Sequence, residues 1–172
     1  MMEFLLVHET FHVLSRADPG AREKLYGAIG FRACAAVEVP AELTELRLTN
    51  PDAPQSLHAI EVKWRGQPVE ALPFVHFPAA TLDPRRGFAS QMRTSWLLIE
   101  RQGSRCKAGG EHAAPEELEG FFEQVGRNTG YLIHAEEILA DNFALLYREH
   151  VTPGVTRIRS PEILERMRTI LR

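Results

Sequence analysis

The chain has 172 residues, of which 44% are hydrophobic and 25% are charged, a composition typical of one globular domain with a hydrophobic core rather than of a disordered chain. The net charge of -3 and the pI near 6.2 argue against nucleic acid as a partner, because nucleic-acid-binding surfaces are usually strongly basic. No segment reaches the ~20 uninterrupted apolar residues of a membrane span, so no membrane partner is expected.

The two cysteines, Cys34 and Cys106, can form one disulfide bond at most and lack the spacing of a structural zinc site. We expect free thiols in a reducing compartment. The N-terminus has neither a basic segment nor a small-residue cleavage site, so no signal peptide is expected. The sequence therefore predicts a soluble cytoplasmic protein, and it does not indicate the oligomeric state.

The first predicted element is a helix from about Met2 to about Ser15, which is apolar nearly all round. A helix of this kind is normally buried on several sides. Asp18 and Pro19 then form an N-cap followed by proline at the first helical position, which predicts a second helix ending at Gly30.

From about residue 31 to residue 110 the sequence has short alternating runs separated by turn residues, which predicts a β-rich region. The expected strands cover residues 35–39, 58–64, 69–77 and 95–100, with a hairpin turn at 65–68, a loop at 50–54 and a polar loop at 102–114. Pro73 cannot donate a backbone hydrogen bond, so its strand is expected to lie at an edge or to be bulged.

Helices dominate the remainder of the chain. One is expected from Ala114 to about Val125, followed by a break at residues 128–130 and a second apolar helix within 131–146. A loop and a strand are expected over 151–156. Ser160 then caps a final amphipathic helix ending at Leu171.

The first helix carries His8-Glu9-x-x-His12, which places two imidazoles one turn apart on one face with a carboxylate beside them. Two neutral imidazole nitrogens at this spacing can reach one tetrahedral metal ion, while Glu9 lies too far round the helix to bind the metal and can hold a metal-bound water. The alternative is a pair of structural histidines with a solvated Glu9. A third ligand is needed to decide between these hypotheses.

The apolar helix within 131–146 offers that ligand. Glu137 and Asp141 stand four residues apart, so one carboxylate can bind the metal while the other orients a ligand histidine. Glu136 points about 100° away from Glu137 around the helix, so we expect Glu136→Ala to bind zinc normally. His134 can replace Glu137 as a ligand, donate to a substrate oxygen, or lie at the surface.

Together the two motifs resemble those of the gluzincin metallopeptidases, the thermolysin-like and neprilysin-like clan. In that clan one helix carries HExxH and a second carries Glu-x-x-x-Asp, which Glu137-Ile138-Leu139-Ala140-Asp141 matches. The resemblance implies that His8, His12 and Glu137 bind one zinc ion per chain, that Glu9 is the general base, and that Asp141 hydrogen-bonds to a ligand histidine.

The expected fold is therefore a single α+β, zincin-like domain over residues 1–172, with two metal-site helices and a β-rich insertion at about 31–110. The insertion either shapes substrate access or completes the core. Gluzincins usually have a sheet before the HExxH helix; here the strands after Phe31 supply it, or the N-terminus is incomplete.

The expected activity is hydrolysis of peptide or protein substrates by a zinc-activated water, with Glu9 as general base. Four side chains are candidate donors to the oxyanion: Tyr131, His134, Tyr147 and His150. One alternative is a zincin-like metal-binding protein without peptidase activity, acting as a binding or regulatory module. Another is a purely structural metal; neither alternative needs a general base at Glu9.

Overall fold

The computed structural model describes residues 2–53, 57–77, 82–154 and 156–172. The helices are α1 (Met2–Ala17), α2 (Pro19–Ala28), α3 (Ala41–Thr44), α4 (Phe88–Gln91), α5 (Phe121–Val125), α6 (Ala135–Val151) and α7 (Pro161–Ile170). The strands are β1 (Phe31–Ala33), β2 (Ala36–Glu38), β3 (His58–Trp64), β4 (Gln67–His76), β5 (Arg93–Gln102), β6 (Arg105–Ala113) and β7 (Leu118–Glu119). This mixed content confirms the α+β class.

The chain forms two compact units. The helical unit contains Met1–Arg32 and Phe122–Arg172, and the sheet unit contains Ala33–Phe121. In the helical unit α1 packs along α6, while α7 packs against α2 and α6. This arrangement brings the two helices that carry the sequence motifs side by side.

The burial of α1 differs from the prediction. Its exposed residues include Met2, Leu5, Leu6 and Val13, although an apolar helix was expected to be buried on several sides. The residues that α1 buries are His8, Phe11, His12 and Ser15. Because polar groups leave water only when they gain partners, this face must carry a hydrogen-bond network.

The helix ends of this unit largely follow the sequence. The Asp18 side chain accepts a hydrogen bond of 2.9 Å from the amide of Ala21, which confirms the predicted N-cap of α2. Ser160 stands at the N-cap position of α7 without a side-chain cap. Its hydroxyl instead accepts a hydrogen bond from the amide of Arg127, so it ties the preceding loop to this helix.

In the sheet unit the strand order is β3-β4-β5-β6-β2, with β7 on the other side of β3. The β3-β4, β4-β5 and β5-β6 pairs are antiparallel, and β2 pairs in parallel with β6. Strand β3 has the predicted bounds. The unit has its own hydrophobic cluster, made of Cys34, Ala59, Leu72, Phe74, Leu97, Ile99, Cys106 and Ala108.

Three predictions for this region are wrong. The predicted polar loop at 102–114 contains strand β6, whose Cys106 and Ala108 are buried at alternate positions. Strand β4 was expected at an edge or with a bulge because of Pro73, but it lies between β3 and β5. Pro73 follows Ala71, the last residue of β4 that pairs with β3, so no hydrogen bond to β3 is required of it. The predicted helix from Ala114 is broken into a single turn, β7 and α5, with Gly120 at a φ of 83°, a conformation that L side chains rarely adopt.

Cys34 and Cys106 form a disulfide bond, so the expectation of free thiols is wrong. Their sequence separation of 72 residues hides the pairing from local sequence reading. Disulfides are typical of oxidising compartments, so the cytoplasmic prediction loses the support that free thiols gave it. Over the described ranges, none of the helices has the length and apolarity to cross a membrane.

Two smaller expectations fall partly on residues outside those ranges. The loop at 50–54 includes Pro54, and the strand at 151–156 includes Val155; neither residue is described. The described part of the second segment contains no strand, because α6 continues to Val151 and a turn follows.

Candidate metal centre

The site is built where α1 faces α6 within the helical unit. His8 and His12 lie one turn apart on the buried face of α1, with their ring centroids 4.9 Å apart and their ring planes nearly perpendicular. Glu137 projects from the first turn of α6 and is 3% exposed. The i and i+4 spacing on α1 therefore presents both imidazoles to one carboxylate.

A single carboxylate oxygen meets both rings. The Glu137 Oε2 atom lies 3.0 Å from His8 Nε2 and 3.7 Å from His12 Nε2. Atoms bound to a tetrahedral zinc ion at ~2.0–2.2 Å stand roughly 3.3–3.6 Å apart, so one of the two distances is shorter and the other longer than this separation. His8, His12 and Glu137 each offer a ligand atom within 4.8 Å of the others, so the three side chains can hold a metal ion.

Asp141 hydrogen-bonds to the His8 ring on the side opposite Glu137. The His8 Nδ1 atom donates to Asp141 Oδ1 at 2.9 Å, which is the contact predicted from the motif. The other carboxylate oxygen of Asp141 accepts a hydrogen bond from the Thr129 hydroxyl. A carboxylate at Nδ1 orients the ring so that Nε2 faces the metal position.

His8 lies between the carboxylates of Asp141 and Glu137. Hydrogen bonds to Asp141 and Glu137 outweigh burial and raise the pKa of His8 to about 10. At neutral pH the imidazole is therefore protonated at both nitrogens. Binding a metal at Nε2 must displace one of these protons, because only the neutral ring offers a lone pair.

The Glu136 side chain contacts His12, although its direction around α6 led us to expect that Glu136→Ala binds zinc normally. It is 1% exposed, and its Oε1 atom accepts a hydrogen bond of 3.0 Å from His12 Nδ1. Ser15 donates to the same oxygen, and the Tyr26 hydroxyl donates to Oε2 at 2.6 Å. Burial raises the pKa of Glu136, but the hydrogen bonds from His12, Ser15 and Tyr26 outweigh it and lower the pKa below its usual value.

Sequence reasoning missed Glu136, Ser15, Tyr26 and Thr129. The available signal was the pair Glu136-Glu137 at the start of an apolar helix, because two adjacent carboxylates in such a setting both need partners. Their 100° separation does keep Glu136 off the face that carries Asp141. It does not keep Glu136 from reaching the opposite side of the second imidazole.

Glu9 lies on the solvent side of the site. It is exposed on α1, and a carboxylate oxygen of Glu9 lies within 4.8 Å of a ring nitrogen of His12. A general base needs access to water and proximity to the reacting centre. Glu9 is open to water and close to one of the two histidines.

The four candidate donors to the oxyanion differ in their position relative to the metal ligands. The Tyr131 ring centroid lies 6.5 Å from that of His8, and the residue is 45% exposed. His134 is buried at the N-cap of α6, where its Nδ1 accepts the Glu136 amide at 3.0 Å. Tyr147 and His150 lie further along α6, roughly 15 and 20 Å from Glu137 at 1.5 Å per residue. Tyr131 is therefore the best placed donor.

No protein-family model, curated protein or solved structure matches the chain. The resemblance to the gluzincins accordingly rests on the two helical sequence motifs alone.

Proposed function

We propose that this protein is a zinc-dependent peptidase of the gluzincin type, with one zinc ion held by His8, His12 and Glu137. The observation that carries the proposal is the meeting of both imidazole Nε2 atoms at one Glu137 oxygen. Two histidines and one carboxylate are a ligand set of catalytic zinc sites, in which the fourth position stays open.

A zinc ion held by His8, His12 and Glu137 would supply Lewis-acid chemistry: it would lower the pKa of a water toward ~7 and would polarise the substrate carbonyl. The chain's own residues supply the remaining chemistry. Glu9 accepts the proton of the attacking water and passes it to the leaving amine. The Tyr131 hydroxyl donates to the carbonyl oxygen as negative charge develops on it.

The exposure of α1 supports a peptide as substrate. Leu6 and Val13 lie beside Glu9 on the solvent-facing side of the helix, so apolar surface is available next to the proposed base. An exposed carboxylate between apolar side chains suits a substrate that brings both a scissile carbonyl and apolar side chains.

The test is the Glu9→Gln variant, which keeps the size of the side chain and all three ligands. We expect it to bind one zinc per chain like the wild type, while cleavage of a peptide library falls by orders of magnitude because the base is lost. Zinc content by mass spectrometry and cleavage with and without chelator are the measurements. Glu3→Gln on the same helix is the matched control and should cleave normally.

Two outcomes would count against the proposal. Unchanged cleavage by a zinc-loaded Glu9→Gln variant would assign the activity to another base. A wild type that binds zinc and cleaves no peptide in the library would favour a metal-binding or regulatory module instead.

A further inference from the structure

A buried network links Glu136 to three other side chains of the helical unit. Glu136 begins α6, His12 and Ser15 lie on α1, and Tyr26 lies on α2. All four residues are at most 4% exposed. One carboxylate therefore connects three helices around a single imidazole.

The hydrogen bond from His12 to Glu136 determines which ring nitrogen of His12 carries a proton. A carboxylate only accepts hydrogen bonds, so the 3.0 Å contact between His12 Nδ1 and Glu136 Oε1 requires a proton on Nδ1. In the neutral ring, the lone pair then lies on Nε2, which faces Glu137 Oε2 at 3.7 Å. Glu136 thus selects the form of His12 that can bind a metal.

The carboxylate is itself held on both oxygens. Ser15 donates to Oε1 and Tyr26 donates to Oε2. A buried carboxylate is costly unless it is fully hydrogen-bonded, and these hydroxyls supply the donors that water would otherwise supply. They also leave little freedom for the carboxylate to turn away from His12.

We propose that Glu136 is a positioning residue of the metal centre, held in place by Tyr26 and Ser15, and that it fixes the tautomer and orientation of His12. This inference rests on the proposed function. It gives Glu136 the same role toward His12 that Asp141 has toward His8. Adjacent residues of α6 then act together, since Glu137 meets the metal side of His12 while Glu136 holds its far side.

The experiment is a zinc titration of purified full-length variants against a competing chelator. Glu136→Ala should weaken zinc binding by about 10–100-fold, the usual range when the partner of a ligand histidine is lost. Glu136→Gln should lose less, because its amide oxygen can still accept from His12 Nδ1. Tyr26→Phe should fall between Glu136→Ala and the wild type. Asp141→Ala should weaken zinc binding to a similar extent, because it removes the partner of His8. Glu123→Gln, at an exposed position of α5, is the control and should bind as the wild type does.

Cobalt substitution separates positioning from a general loss of stability. The visible absorption of bound Co²⁺ reports ligand geometry, so Glu136→Gln and Tyr26→Phe should shift the spectrum even where thermal unfolding is unchanged. Wild-type zinc affinity and an unshifted cobalt spectrum in both variants would overturn the inference and leave the proposed function standing. A wild type that binds no zinc would overturn both. If Glu136→Ala fails to fold, Tyr26→Phe and Glu136→Gln still decide the matter.

Discussion

The interiors of the two units differ in the polarity of the side chains that they bury. The sheet unit buries an apolar cluster around Leu72, Phe74 and Leu97, closed by a disulfide bond. The helical unit buries histidines and carboxylates between α1 and α6 while leaving Leu6 and Val13 of α1 in solvent.

Burying charged and polar groups costs free energy unless each finds a partner, so a domain built only for stability would turn the apolar side of α1 inward. The buried network of the helical unit is therefore the feature that the proposed metal centre would explain. The sheet unit, in contrast, has the interior that stability alone would favour.

Removal of the three proposed metal ligands should have the largest effect on the helical unit. His8→Ala, His12→Ala and Glu137→Ala should each lower zinc affinity by orders of magnitude, because each removes one of three protein ligands. Equilibrium dialysis with zinc analysis measures the loss. Glu162→Ala, at an exposed position of α7, is the control. Retention of zinc by all three ligand variants would place the metal elsewhere.

Removing the disulfide tests the other unit. The double variant Cys34→Ala/Cys106→Ala should lower the free energy of unfolding by about 2–5 kcal/mol, because the bond closes a long loop. Urea unfolding followed by the fluorescence of Trp64 and Trp96, which both lie in the sheet unit, reports the change. Zinc affinity should stay at the wild-type value, since both cysteines lie in the sheet unit. A large loss of zinc in a variant that remains folded would contradict the separate roles of the two units.

The smallest effect concerns pH in the metal-free protein. The pKa of His8 is raised to about 10 from 6.5, so the protonated ring stabilises the folded state. This contribution is fully present below about pH 6.5 and is lost as the pH rises through about 10.

Urea unfolding in chelator across this pH range measures the effect. Glutamine does not titrate, so His8→Gln should remove this part of the pH dependence of the free energy of unfolding. Equal pH profiles for the wild type and His8→Gln would mean that the raised pKa does not contribute.

Zinc binding gives a second readout of the same proton. Because the metal displaces a proton from His8, zinc affinity of the wild type should rise as the pH rises toward about 10. Isothermal titration in buffers of different ionisation enthalpy counts the proton released. Binding without proton release would contradict a protonated His8 in the metal-free state.

The parts of the structure that were predictable from sequence depend on local spacing. The i and i+4 patterns of His8 with His12 and of Glu137 with Asp141 follow from helix geometry alone. The alternating residues of β3 likewise gave its bounds. In each case the periodic signal lies within one element.

The missed features depend on partners distant in sequence. Glu136 enters the site only because His12 and Tyr26 reach it from other helices. Strand β6 is obscured by Gly109, Gly110 and its charged residues, and it is revealed by pairing with β5. Tertiary contacts such as these override local propensity.

The proposed function requires that one metal ion binds between α1 and α6. Anomalous diffraction at the zinc absorption edge, from crystals of the zinc-loaded protein, tests it most directly. We expect one peak per chain at ~2.0–2.2 Å from His8 Nε2, His12 Nε2 and a carboxylate oxygen of Glu137. A peak on other residues, or none at saturating zinc, would contradict it.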